Sequence, residues 1–171
     1  RPSGGLTVVL GPGCLMWSVV VHHPHGPPAI DAIHAAMLDP LCGALRAAGR
    51  DVVRRGSSDL ALVGADGERK ISGNALRVRR HGVLYHGTVL DAFDLDLIGR
   101  VLRHPPREPA YRAGRPHAEF LANLALGADR LVAAVRRAFG ALRAETAWPR
   151  DRVARLVRDR YTDAAWTHRL P

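Results

Sequence analysis

The segment Arg69-Lys70-Ile71-Ser72-Gly73-Asn74-Ala75 holds the only lysine of the chain; every other basic residue among its 25 Lys+Arg is an arginine. An ammonium is a compact charge on a thin stem. It enters a narrow pocket and can touch a carbonyl and a phosphate together, whereas a guanidinium is planar, wide and forked. A composition given over to arginine that keeps one lysine beside a Ser-Gly-Asn turn points to a task arginine does not perform. The plainer alternative is one ordinary surface lysine at a hairpin. Two other segments carry comparable chemistry. Tandem glycines in Arg1-Pro2-Ser3-Gly4-Gly5 let a ligand approach the backbone, and free N–H groups there can hold a phosphate or carboxylate, although the same residues also suit a simple turn. Gly56-Ser57-Ser58-Asp59-Leu60 places an aspartate at the start of a strand, suited to orient an amine or a magnesium ion, or to cap a turn.

The elements that must position these residues are legible in the pattern. Leu6–Leu10 reads as a strand. Leu15–Val21 is β-branched and aromatic, bounded by Pro24 and Gly26-Pro27-Pro28, and reads as a buried strand. Between Ala29 and Ala48 apolar residues recur at Ile30, Ile33, Met37, Leu41 and Leu45, which is helical spacing. Pro40 is expected to kink or split that helix, because it removes a backbone donor. Asp51–Arg54, Asp59–Val63, the strand carrying Lys70 and Val83–Leu90 read as an antiparallel meander, with Ala65-Asp66-Gly67-Glu68 as a hairpin turn. Such a meander can bring His86-Gly87-Thr88 onto a strand beside Lys70. Helices follow: a short one capped by Asp94, an Arg/Pro-rich loop from Pro105 to Pro116, a helix over Ala128–Leu142, and a last one starting at Pro149. Strands followed by helices, without βαβ alternation, mean α+β.

The length, 171 residues, fits one domain spanning 1–171. No run of eighteen apolar residues exists to span a bilayer, and two cysteines make neither a disulfide framework nor a zinc site; the expectation is a cytoplasmic protein without a structural metal. The formal charge of +9 calls for an anionic partner: nucleic acid, an acidic protein or a phosphate-bearing cofactor. The arginines are spread along the last third, aromatics are three each of Phe, Trp and Tyr, and no nucleic-acid signature is present. His22, His23 and His25 do not suggest a metal site, since neighbours on a strand point to opposite faces and Pro24 breaks the run. The chain begins with Arg1 inside a Gly-rich motif, so an N-terminal part is expected to be missing.

Taken in order, Arg-Pro-Ser-Gly-Gly, Ser-Asp-Leu, Lys-Ile-Ser-Gly-Asn-Ala-Leu-Arg and His-Gly-Thr-Val-Leu resemble the lipoate–protein ligase A family, which shares its catalytic fold with octanoyltransferases and biotin–protein ligases. The resemblance runs from Arg1 to about Leu124. It implies the biotin/lipoate ligase α+β catalytic domain, an antiparallel or mixed sheet with flanking helices. The implied reaction uses ATP, with Mg²⁺, to turn lipoate or octanoate into an acyl-adenylate. The acyl group then passes to a lysine of an acidic lipoyl-carrier domain, of a dehydrogenase E2 or the glycine-cleavage H protein. By position, Ser3, Gly4 and Gly5 match the Gly-rich loop that contacts the acyl-adenylate. Lys70 matches the essential lysine, and Gly73, Asn74 and Ala75 the turn after it. His86, Gly87 and Thr88 match the strand lining the site, and Asp59 an acidic position near ATP or Mg²⁺.

The match has departures. Leu6 stands where the family often has a third glycine, and Cys14 where it often has asparagine. No accessory C-terminal domain is expected, which for short relatives implies a separate activating subunit or transfer alone. Rival readings are an octanoyltransferase working without ATP through a cysteine, for which Cys14 is the thiol to test, and a non-catalytic module that binds carriers. The Gly-Arg-Gly-Arg loop of biotin ligases is absent. Arg103, Arg107, Arg112 and Arg115 are expected either to steer carrier docking or to form a solvated basic surface. His117, Asn123 and Trp166 either reach the site or pack.

Overall fold

The computed structural model describes residues 5–141 and 143–168. The chain divides into two compact units, Arg1–Gly140 and Ala141–Pro171. The first is built on five strands, β1 (Cys14–His22), β2 (Val52–Arg55), β3 (Asp59–Gly64), β4 (Gly67–Arg79) and β5 (Gly82–Leu90), in the order β1-β5-β4-β3-β2. All neighbouring pairs are antiparallel, so the expected meander from β2 to β5 is present and β1 closes on the outer edge of β5. The architecture is α+β.

Leu6–Leu10 is not a strand. Leucine and β-branched residues give a segment strand propensity, but a strand also needs a ladder partner, and this segment pairs with none of the five strands. The segment lies instead along a cavity, with Leu6, Val8 and Leu10 exposed and Val9 packed on a small apolar cluster.

Helix α1 (Ile30–Ala47) runs unbroken through Pro40. The expected split is absent: Pro40 and Ala36 both lie on the exposed side, where solvent can satisfy the carbonyl that proline leaves without a donor. On the other side Ile33, Leu38, Leu41 and Leu45 are buried. They meet Leu131 and Ala134 of α4 (Ala128–Ala138) and the odd-numbered side chains of β5, Val83, Tyr85 and Val89, in the main core. Helix α4 ends at Ala138, shorter than expected, at Phe139-Gly140; Leu142 lies outside the described residues. Asp94 caps α2 (Leu95–Val101) by accepting from Asp96 N and Leu97 N, as the sequence suggests. A 3₁₀ turn (Ala110–Arg112) and α3 (His117–Phe120) follow. With Leu90, Phe93 and Ile98, Phe120 and Leu121 form a second, smaller cluster.

The unit from Ala141 contains α5 (Arg150–Leu156), a π-helical turn (Val157–Tyr161) and α6 (Ala164–Thr167). Asp163 caps α6 through Ala165 N, and Trp166 packs edge-on against Tyr161 at 4.9 Å. Among the described residues no helix is long and apolar enough to cross a membrane.

The main core holds one titratable pair. His34 Nδ1 lies 2.8 Å from the Tyr85 hydroxyl, both buried. Burial lowers the His34 pKa, Asp31 opposing and Arg54 adding to the effect. A histidine whose folded pKa is depressed is fully accommodated while neutral in both states. The unfolded chain gains a proton first as pH falls below about 6.5, so stability declines from there towards the folded pKa. Urea unfolding should therefore give a lower free energy at pH 5 than at pH 7.5, with a shallower dependence in His34→Gln. Equal slopes in the two proteins would remove His34 from the cause.

Candidate functional site

An irregularity in register puts Lys70 on the sheet face shared by Asp59, Gly73, Ala75 and His86. Leu60 pairs with Ser72, but the next residue, Ala61, pairs with Lys70. Ile71 is the extra residue of a β-bulge, a device that re-aims side chains. In regular pairing Ile71 would lie opposite Ala61 and share its face, and Lys70 would fall on the helix side of the sheet. The bulge sends Ile71, wholly buried, into the main core and puts Lys70 on the face of Asp59 and Gly73.

That face borders a cavity of about 720 Å³, within the range of small-molecule sites. Its wall brings together Asp59, Lys70, Gly73, Asn74, Ala75 and the His86-Gly87-Thr88 strand, as well as Gly5. Ser3 and Gly4 lie outside the described residues. The bulge also exposes Lys70's backbone to another partner: the chain leaving α3 runs beside it, and Ala122 N donates to Lys70 O at 3.0 Å.

Lys70 Nζ lies 2.8 Å from Asp59 Oδ1, and the other carboxylate oxygen of Asp59 accepts from the Tyr111 hydroxyl at 3.0 Å. Asp59 is buried and the lysine about one-quarter exposed. Burial and then the charge of Asp59 push the Tyr111 pKa far up, so this phenol stays protonated and keeps donating. The lysine head lies across Gly73, where a Cβ would stand 3.2 Å from Nζ. Asn74 Nδ2 donates to Ser58 O at 2.7 Å and to Ser72 Oγ at 3.1 Å. Its side chain overlies Gly87, where a Cβ would overlap Asn74 Oδ1 and sit 2.6 Å from its Cγ. The two glycines thus leave room for the lysine and asparagine side chains.

The Arg/Pro-rich loop supplies residues that sequence reading assigned elsewhere. Arg112 is buried, with 4% of its surface exposed. Arg115 donates to Glu68 O and Tyr111 O, tying the loop to the start of β4. Neither is free to steer docking, which corrects the expectation for these two; Arg103 and Arg107 are exposed. Tyr111 was missed altogether, and nothing in its spacing marks it. His117 borders the cavity, with Nε2 3.2 Å from Arg103 O. Asn123 is structural: it accepts from Phe93 N and donates to Phe93 O. Trp166 packs on Tyr161.

Neither thiol is among the residues lining the cavity. Cys42 is buried on α1, as expected of a small apolar residue. Cys14 is half-buried, and burial raises its pKa with only partial relief from Thr88.

The site is thus an antiparallel α+β layer that carries a part-buried lysine–aspartate pair on the wall of a ligand-sized cavity. The chain belongs to the lipoyl protein ligase A/B catalytic domain family, whose model matches residues 1–140. Solved structures share the fold. A bi-partite lipoate protein ligase from Thermoplasma acidophilum, studied with its E2 lipoyl domain, is 24% identical with a TM-score of 0.79, over 97% of this chain and 68% of that one. Lipoate-protein ligase A bound with ATP is 23% identical with a TM-score of 0.80, over 97% and 69%. A T. acidophilum structure with bound lipoic acid is 21% identical with a TM-score of 0.76, over 100% and 71%.

Proposed function

We propose that this chain is the catalytic domain of a lipoate–protein ligase that joins lipoate or octanoate to ATP and passes the acyl group to a lysine of a lipoyl-carrier domain. The observation that carries the reading is Lys70, fixed by Asp59 at 2.8 Å on the wall of the 720 Å³ cavity. The family, and relatives with ATP or lipoic acid bound, support it.

In the first step a carboxylate oxygen of the acid attacks the α-phosphorus of ATP, and the bond to pyrophosphate breaks. Charge builds on the non-bridging oxygens, where a preplaced ammonium stabilises it. Lys70 has three N–H donors; one meets Asp59, leaving others for the cavity. In the second step the carrier's amine attacks the acyl carbonyl, AMP leaves, and the amine loses a proton. The same ammonium polarises the carbonyl. Holding both reactants in place supplies much of the remaining acceleration. Gly5, Gly73, Asn74, Ala75, His86, Gly87 and Thr88 border the acyl-adenylate, with Ser3 and Gly4 ahead of them in the Gly-rich loop.

Asp59 serves this scheme best by orienting Lys70. Both its oxygens are engaged, one by Lys70 and the other by Tyr111. When bound, Mg²⁺ would neutralise charge on the ATP phosphates, which hold it in nucleotide sites together with one or two carboxylates. With the orienting carboxylate removed, Asp59→Asn should lower kcat about 100-fold, the scale of an ångström's misplacement; a change under threefold would leave Asp59 without that role.

The carrier is an acidic lipoyl domain of E2 or the H protein, and a separate activating subunit fits the bi-partite relative. The deciding experiment incubates the protein with Mg²⁺, octanoate or lipoate and an apo lipoyl domain, with and without ATP, and weighs the acceptor. An ATP-dependent mass gain is expected. A gain from an acyl-carrier thioester without ATP would replace the ligase by a transferase, and no gain under any condition would favour a missing activating subunit or a binding module. Cys14, its thiol held up by burial, is poorly prepared for the thioester route, which needs a thiolate.

A further inference from the structure

Arg112 is an ionised side chain with a job the fold leaves undone. It closes the 3₁₀ turn (Ala110–Arg112) and lines the cavity while only 4% exposed. Its Nε donates to Arg115 O at 2.9 Å and faces Glu108 Oε2 at 3.5 Å, and its Cζ stands 4.7 Å from the Phe120 ring centroid. These contacts fix the plane of the guanidinium, so its remaining donors point in set directions. Its Nη2 is buried and has no hydrogen-bond partner; among the described residues Trp17 Nε1 alone shares that condition, and Trp17 lines the same cavity.

An unmet donor on a buried cation is costly, and native structures rarely leave one without a reason. The counter-charge nearby does not remove the cost. Glu108 is shared with His104 at 3.4 Å and accepts from Gly114 N at 3.0 Å. Asp59 is taken by Lys70 and Tyr111. Burial lowers Arg112's proton affinity, Glu108 only opposing it, as expected of a cation short of negative charge; an arginine stays protonated even so.

We propose that Arg112 is a second oxyanion-binding residue of the cavity beside Lys70, donating from Nη2 to a carboxylate or phosphate oxygen of the small molecule bound there. This rests on the ligase reading for what that molecule is: the carboxylate of a medium-chain acid or the phosphates of a nucleotide. A fixed guanidinium recognises either, and more directionally than an ammonium does.

The test is calorimetric titration of the protein with octanoate, methyl octanoate, ATP and pyrophosphate, in wild type and Arg112→Gln. A charge-assisted bond of this kind implies about a 10–100-fold weaker Kd for the anion that Arg112 holds, with methyl octanoate unchanged. Weakening confined to octanoate assigns Nη2 to the carboxylate; weakening confined to ATP and pyrophosphate assigns it to phosphate. Unchanged affinity for all three anions overturns the proposal, as does wild-type protein that binds none of them. Where Arg112→Gln loses methyl octanoate binding and so its fold, Arg112→Lys decides. It keeps the charge without the fork, and at least fivefold weaker anion binding is expected; wild-type affinities overturn the proposal. Acyl transfer by wild type beside unchanged anion binding in the variants would sink this inference and leave the ligase reading standing. Arg112-dependent anion binding without ATP-dependent transfer would do the reverse.

Discussion

Lys70→Arg should lower acyl transfer to an apo lipoyl domain by about 100- to 1,000-fold, the scale seen when one preorganised donor is lost from a developing charge, while the protein stays folded. The charge is kept, and Asp59, 2.8 Å from Nζ, can still pair with a guanidinium. What changes is shape. The lysine head lies over Gly73, where the strand offers a narrow seat, and a planar fork cannot present one point charge to a phosphate and then to a carbonyl. Pyrophosphate release and acceptor mass, followed separately, report the two steps, and both should fall. Lys70→Met should do the same and also cost stability, because Asp59 is left with only Tyr111 as a partner. Losing a partner of a fully buried pair costs about 3–5 kcal/mol; with the lysine 26% and the aspartate 11% exposed, about 1–3 kcal/mol is expected after solvent screening. Transfer within threefold of wild type in Lys70→Arg would remove the lysine from the chemistry.

The largest effect on stability is expected at Gly13. Its φ is +83°, and a Cβ there would overlap the carbonyl of Ala92 and lie 2.6 Å from Phe93 N. No side-chain rotation relieves a clash with backbone. Gly13 O also accepts from Asp91 N at 2.9 Å and Ala92 N at 3.0 Å, which ties the entrance of β1 to the exit of β5. Asp91 in turn accepts from Leu126 N and Gly127 N, fixing the chain ahead of α4. Left-handed strain of about 1–3 kcal/mol adds to an overpacking cost of similar size. Gly13→Ala should therefore lose about 3–5 kcal/mol, or about 10–15 °C in Tm for a chain of this length. Gly43→Ala is the control: it lies on α1 with nothing within 4 Å of an added Cβ, so a small gain of about 0.5–1 kcal/mol is expected. Equal midpoints for the two variants would refute the tie between Gly13 and Ala92.

Much of this was written locally in the chain. Apolar periodicity and turn residues determined the helix from Ile30 and the strands around Gly67, and Asp94 marked its helix start. The Lys70 and His86 segments, one turn apart on a hairpin, were bound to become neighbours once β4 and β5 paired. Other features depended on distant contacts. Leu6–Leu10 has a strand's residues and pairs with no strand of the sheet. Pro40 breaks a helix in principle, yet the faces of α1 that carry the core hold it together. Arginines at 112 and 115 look alike in sequence, but the loop turns both inward and only one retains an unmet donor.

The sequence by itself determined that one lysine would stand among glycines, an asparagine and a histidine strand, because residue types and hairpin spacing are local properties. Which face that lysine would take was decided by the tertiary structure alone. Side chains alternate along a strand, so a single bulge at Ile71 reverses the choice, and it turns Lys70 towards Asp59 while Tyr111, brought by a loop from far along the chain, completes the pair.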